Sequence, residues 1–123
     1  MSSEVHIPPG EALALQSLIT PTVHGISSRI LSKTAGGSVT LFAFDQGQGL
    51  SEHTAPFDAL VIVLDGELSL TIGGQAVAAQ PGTLVRLPAN VPHAVDATIA
   101  ARMLLVMLRE PKTDLQAAAS PLT

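Results

Sequence analysis

Turn-forming pairs punctuate this chain at short, nearly even intervals, which leaves room for short strands and little else. Gly36-Gly37, Gln46-Gly47-Gln48-Gly49, Asp65-Gly66, Gly73-Gly74, Pro81-Gly82 and Pro88-Ala89-Asn90 each supply backbone freedom or a fixed φ where a chain can reverse. Between them lie runs rich in Val, Ile, Leu and Thr at 38–45 (SVTLFAFD), 60–64 (LVIVL), 67–72 (ELSLTI), 83–87 (TLVRL), 91–96 and 102–108. A strand roughly every 8–12 residues is the signature of an all-β fold. No helix-length segment alternates with these runs, so the expectation is an antiparallel β-barrel or jelly roll rather than a parallel sheet. Only residues 10–19 (GEALALQSLI) carry Ala and Leu at spacings that predict a short helix, within a polar N-terminal arm.

The stretch LDGELSLTIGGQ carries the clearest local signal. Asp65-Gly66 makes a turn, Leu68, Leu70 and Ile72 alternate with Glu67, Ser69 and Thr71, and Gly73-Gly74 sends the chain back. One face of that strand is dry, the other is wet, and Glu67 is expected to be exposed. LVIVL and MLLVML do not alternate, which predicts burial of both faces, one inside the barrel and one beneath the N-terminal arm or another subunit.

With 123 residues the chain makes a single domain, 1–123, with its core at about 25–110, an arm over 1–24 and a tail over 111–123. A chain of that length hides about two thirds of its unfolded surface, so it needs neither disulfides nor a structural metal to fold. Only 13% of residues are charged, and the formal net charge is -4. So little polar material leaves apolar surface for a partner, and a homodimer is the simplest one. The six basic residues, Arg29, Lys33, Arg86, Arg102, Arg109 and Lys112, stand singly, so no stripe faces a run of phosphates. Three Phe and no Trp or Tyr provide no stacking platform either, which argues against nucleic-acid binding. No apolar run approaches the roughly 18 residues of a membrane span, and the start lacks the basic and apolar regions of a signal peptide. The chain therefore reads as cytoplasmic and not membrane-bound. Without Cys, any chemistry belongs to His, carboxylates, hydroxyls or backbone.

Of the four histidines, His53 and His93 stand in the most patterned stretches. The first reads Gly47-x5-His53-x-Ala55-x3-Ala59-x6-Gly66, and the second Gly82-x5-Pro88-x-Asn90-x2-His93-x3-Ala97. Over residues 36 to 110 the sequence resembles the cupin superfamily, a family of small β-barrels. Its two motifs are Gly-x5-His-x-His, three or four residues, Glu-x6-Gly, and then Gly-x5-Pro-x-Gly-x2-His-x3-Asn. Six of the ten motif positions agree: Gly47, His53, Gly66, Gly82, Pro88 and His93. Gly66 and Gly82 fit turns that need unusual backbone angles, and Pro88 fits a corner rather than a central strand. The resemblance implies that His53 and His93 face the barrel mouth, where metal-bearing relatives hold a divalent ion with three His and one Glu. It also implies assembly as a dimer.

The departures bear directly on function. Ala55 stands at the second His position, and Ala59 at the Glu position, or Leu60 if the longer spacing applies. Two imidazoles are fewer than the three protein ligands of a catalytic zinc site. Glu52 and Asp58 are the nearest carboxylates, each one step out of register, and only a bulge would bring either round. The candidate pocket is therefore His53, Phe57, Asp58 and His93, with His53 and His93 as a non-standard metal pair. Three readings stay open: a weakly held divalent metal ion, a metal-free pocket in which the rings bond water or each other, and acid–base work by His53 or His93 with Asp58. The leading function is small-molecule binding in the barrel. The alternatives are a metal-dependent oxygenase or isomerase using His53 and His93, and a purely structural dimerisation module. Phe42 and Phe44 read as core, as do Met103, Leu105 and Met107, while Arg86 reads as an outer, solvated residue and His6 and His24 as ordinary surface positions.

Overall fold

In a computed structural model of the protein, residues 2–4 and 7–109 are described. His6 and the tail expected over 111–123 lie outside the described residues. Ten strands follow one another: β1 Ser2–Glu4, β2 Ile26–Thr34, β3 Gly37–Phe44, β4 Gly49–His53, β5 Asp58–Asp65, β6 Leu68–Ile72, β7 Gln75–Ala79, β8 Leu84–Leu87, β9 His93–Ala97 and β10 Ala101–Leu108. They form a six-stranded sheet in the order β1-β2-β3-β10-β5-β8 and a four-stranded sheet in the order β4-β9-β6-β7. Every pairing is antiparallel except β1 with β2. The antiparallel all-β architecture read from the turn spacing is what forms. No helix among the described residues is long and apolar enough to cross a membrane.

Four strands, β1, β2, β4 and β7, lie outside the apolar runs read from the sequence. Ile26–Thr34 is interrupted by Ser and charged residues, and Gln75–Ala79 is a short edge strand with only Ala79 buried, so neither carries a clean apolar pattern. The helix expected over 10–19 shrinks to one 3-10 turn at Leu15–Leu18, whose N-terminal neighbour Ala14 provides no side-chain cap. What this segment does is cover. Ile19 is buried with Leu41 and Ala43, and Leu18, Leu31, Leu64 and Leu104 pack around them. The arm is thus a second layer over part of the six-stranded sheet.

Short corners set how the sheets face each other. Residues 45–48 join β3 to β4, 66–67 join β5 to β6, 80–83 join β7 to β8 and 98–100 join β9 to β10. Connections this short keep partners adjacent, so β4 lies over β3, β9 over β10, β6 over β5 and β7 over β8. Between the sheets sits the core, including fully buried Phe44, Val61, Leu68, Leu70 and Met103. Phe42 and Phe44 share the inner face, with stacked rings 5.9 Å apart.

The unalternating runs behave differently from expectation on their outer side. In β5, Ala59, Val61 and Val63 are buried while Leu60, Ile62 and Leu64 are only half-buried. In β10, Met103 is buried, whereas Leu104 and Val106 on the opposite face remain half-exposed. Among the described residues, the arm covers the part of the sheet around Leu41, Ala43, Leu64 and Leu104. Glu67, expected in solvent, is half-buried because it accepts hydrogen bonds from Gln80 and from Thr98 Oγ1 at 3.1 Å.

Gly66 (φ +76°) and Gly82 (φ +84°) adopt the left-handed angles read from the motifs. Gly66 is also the site of a close approach, where a Cβ would collide with the Ala100 carbonyl and stand 2.6 Å from Ala101 Cα. Gly74 (φ +84°) has nothing within 4 Å of that position. Gly74→Ala is therefore expected to cost about 1 kcal/mol, the strain of the backbone alone. Gly66→Ala should cost about 3 kcal/mol or more, because the β5–β6 corner must also move. Urea unfolding of the two variants checks this, and equal losses would contradict it.

Candidate functional site

One extra residue in β4 creates the site. Gly49 pairs with Asp96 and Leu50 with Val95, but His93 then pairs with His53. Three steps along β4 match two along β9, which is a β-bulge. In a regular strand Leu50 and His53, three apart, would face opposite ways. Leu50 packs on the core, and the bulge turns His53 to the same face, beside His93. Glu52 stays exposed, so the bulge serves the histidine rather than the carboxylate.

The two rings meet edge to face, with centroids 4.4 Å apart and an interplanar angle of 71°. His93 is buried and His53 lies above it in solvent. Nδ1 of His53 is 2.9 Å from the Ser51 carbonyl oxygen, and Nδ1 of His93 is 3.2 Å from that of Val91. A carbonyl oxygen only accepts, so each Nδ1 carries the hydrogen and donates it. Each neutral ring then has a bare Nε2, and these two nitrogens lie 3.1 Å apart. Two acceptors at that distance have no hydrogen to share. A proton shared between the two nitrogens, a hydrogen-bond donor or a cation would complete the pair.

The loop before His93 is held by backbone geometry. Asn90 stands where the resembled motif has Gly, and its φ of +64° is one that Asn tolerates better than most residues. Its N–H donates to the Ala55 carbonyl at 2.7 Å, tying the two motif loops together. Residue 55 is not on the strand with His53, because β4 ends at His53. At the Glu position, Ala59 faces the interior and is buried, while Leu60 belongs to the outer face.

Asp58, next to inward-facing Ala59, lies on the outer face of β5. Both Asp58 oxygens are engaged, Oδ1 by the Ala89 N–H at 2.8 Å and Oδ2 by Arg86 Nη1 at 3.0 Å. Asp58 is a clamp between the start of β5 and the loop after β8, each of its oxygens already accepting a hydrogen bond. Arg86 is exposed on the outer face, as its sequence context suggested. Phe57 is half-buried with the Arg109 guanidinium 5.0 Å above its ring, a cation–π contact that the sequence did not announce. Arg102 forms a second ion pair, with Asp65 at 2.9 Å, far along β10 from the rings.

The four-ligand centre implied by the resemblance does not fit these residues. Two of its four positions carry methyl groups, and no three His, Cys, Asp or Glu side chains converge among the described residues. The two imidazoles alone have the fixed orientation of metal-binding rings, each anchored through its far nitrogen.

Against known proteins, the profile described as a cupin domain matches residues 40–107. The conserved SPY1581 protein of unknown function from Streptococcus pyogenes is similar at 31% identity, over 85% of this chain and 91% of its own, with a TM-score of 0.80. A cupin superfamily protein from Desulfitobacterium hafniense is 28% identical over 85% of this chain and 95% of its own, also with a TM-score of 0.80. A cupin 2 conserved barrel domain protein from Leptotrichia buccalis is 35% identical over 76% of this chain, which spans only 46% of that one, with a TM-score of 0.74. No curated protein matches the chain.

The Ala89 N–H, and after it the Arg86 guanidinium, hold the Asp58 carboxyl below its ordinary value of 3.8. The His24 and Gln46 N–H groups act likewise on Asp45. A carboxyl lowered in the folded state stabilises fully above its unfolded value and loses that contribution as pH falls through the folded one. The melting temperature, followed by circular dichroism, should therefore drop below about pH 4. Asp58→Asn should lower the melting temperature at pH 7 and flatten part of the acid drop, Asp45 keeping the rest. An unchanged acid limb would show that the clamp contributes nothing.

Proposed function

Because the chain belongs to the cupin domain family, we propose that it is a binding protein for a small molecule lodged between its two sheets, with His53 and His93 as the polar anchor. The observation that carries this reading is the pair of Nε2 atoms 3.1 Å apart, with each Nδ1 turned to a backbone carbonyl oxygen. Around them the interior is apolar, with Ala59, Leu87 and Met107 aligned across three strands at the same end of the barrel. An apolar wall with a few convergent polar atoms is the usual form of a small-molecule site. The anchor accepts hydrogen bonds, so it selects ligands that present an O–H or N–H group.

A divalent ion on the same two nitrogens is the second reading, favoured by the Nδ1 anchoring. Two neutral ligands hold an ion weakly, because neither Asp58, which is engaged, nor Glu52, which faces solvent, completes the set. A metal-dependent oxygenase or isomerase would need that missing carboxylate or a further His, and no reaction is proposed. Elemental analysis after growth with metal supplied is expected to find less than about a tenth of an equivalent of transition metal. A full equivalent would overturn the binding-protein reading in favour of a metal centre. For the binding itself, melting shifts across a set of small alcohols, amines, amides and acids should include compounds that act on the wild type and not on His53→Ala or His93→Ala. Shifts that all persist in both variants would place the ligand elsewhere.

We also propose a homodimer formed through the outer face of the six-stranded sheet. Leu60 and Val106 are neighbours there, Ile62 lies between Leu84 and Leu104, and Leu84 and Leu108 are 60% and 46% exposed. Apolar side chains gathered on one sheet face mark a contact surface. Light scattering at micromolar concentration should give twice the chain mass, and Leu84→Glu should shift the population toward monomer. A wild-type monomer rejects the assembly.

A further inference from the structure

Ser38 has the sole buried side-chain polar atom without a hydrogen-bond partner among the described residues. Its position makes that notable. In β3 it pairs with Met107, which packs on the core, and it shares its face with Phe42, also packed there. Ser38 therefore points between the sheets. Met107 pairs in turn with Ala59, and Ala59 with Leu87, so Ser38, Met107, Ala59 and Leu87 form one interior row. That row lies at the end of the barrel where residues 54–57 leave His53 and residues 88–92 lead into His93.

The sheet order places the row's members opposite the rings. Since β4 lies over β3 and β9 over β10, His53 at the end of β4 stands above the start of β3, where Ser38 is, and His93 stands above Met107. Packed sheets are about 10 Å apart, so side chains from the two faces at this end share one layer. Three polar atoms thus stand at one end of the barrel: the Nε2 atoms of solvent-exposed His53 and buried His93, and a buried hydroxyl that can both donate and accept. A hydroxyl buried without a partner is costly, and native proteins rarely keep one unless something else completes it.

We infer that Ser38 is the second anchor of the interior site and that the site is built for a small molecule carrying two adjacent hydroxyl groups on an apolar body. This rests on reading the interior between the sheets as the ligand site. One ligand hydroxyl donates to the Nε2 pair and the next exchanges hydrogen bonds with Ser38 Oγ, while the carbon skeleton lies along Met107, Ala59 and Leu87. Ala55 and Ala59, with methyl groups where the resembled motif has an imidazole and a carboxylate, leave the opening to the ligand.

The test is a titration of the full, isotope-labelled chain with cis-cyclohexane-1,2-diol, followed by NMR, with 1,2-dimethoxycyclohexane as the donor-free control. Saturable shifts at the Ser38 amide and the His53 and His93 rings are expected with the diol and not with the diether. Ser38→Ala should weaken diol binding about tenfold, the worth of one hydrogen bond of typical strength. The same variant should leave the melting temperature of the free protein unchanged or raise it, because it removes an unpaired group. A fall of several degrees would show that the hydroxyl is already satisfied and would overturn the inference. Diol binding lost in His93→Ala and intact in Ser38→Ala overturns the role of Ser38 while leaving the interior site standing. Binding that survives both variants, or shifts confined to the outer face, overturns the interior site as well. A wild type that binds diol and diether alike, or neither, overturns the adjacent-hydroxyl class.

Discussion

The inserted residue in β4 decides what this barrel can do. Strand geometry alternates side chains strictly, and the segment Leu50 to His53 has to satisfy two demands at once: Leu50 in the core and His53 beside His93. A regular strand meets one and fails the other. The bulge meets both, at the expense of regular ladder bonding at an edge strand, where such irregularity is most readily tolerated. From it follow the edge-to-face rings, the anchoring of each Nδ1 on a carbonyl of its own chain segment, and the convergence of two acceptors on one point.

The surrounding framework explains why the barrel persists while its resembled metal set does not. Left-handed angles at Gly66, Gly82 and Asn90 belong to the corners of the fold, and the close approach at Gly66 belongs to packing between β5–β6 and the start of β10. None of these depends on an ion. Ala55 and Ala59 sit in the same framework, with methyl groups where the resembled motif has an imidazole and a carboxylate. Asp58 belongs to the framework too, holding the start of β5 to the loop that leads into His93. A carboxylate that looks catalytic by its nearness in sequence is engaged in this clamp.

Much of the architecture was legible from the residues. Asp65-Gly66 and Gly73-Gly74 bracket β6 where they were expected, the alternation in β6 marks its buried face, and the unalternating runs lie in the central strands of the larger sheet. Periodicity reports the inner face faithfully because burial there follows directly from the strand period. It reports the outer face less well, because cover by the arm or a partner is a long-range matter, and Leu60, Ile62 and Val106 are left half-exposed. At the site, His53 and His93 could be paired from their motifs, but the bulge could be posed only as a possibility, since register depends on the partner strand. Ser38 gave no signal at all: a Ser at the start of a strand is common, and its missing partner exists only in three dimensions.

The tautomers of the two rings bear most directly on all of this. Long-range nitrogen–proton correlation of the labelled imidazoles, at a pH where both are neutral, reads them without any ligand. Hydrogen on Nδ1 and a bare Nε2 in both His53 and His93 is the result required by the carbonyl contacts at Ser51 and Val91. Hydrogen on Nε2 of either ring would mean that the pair satisfies itself, and the site would then have no call for a third partner.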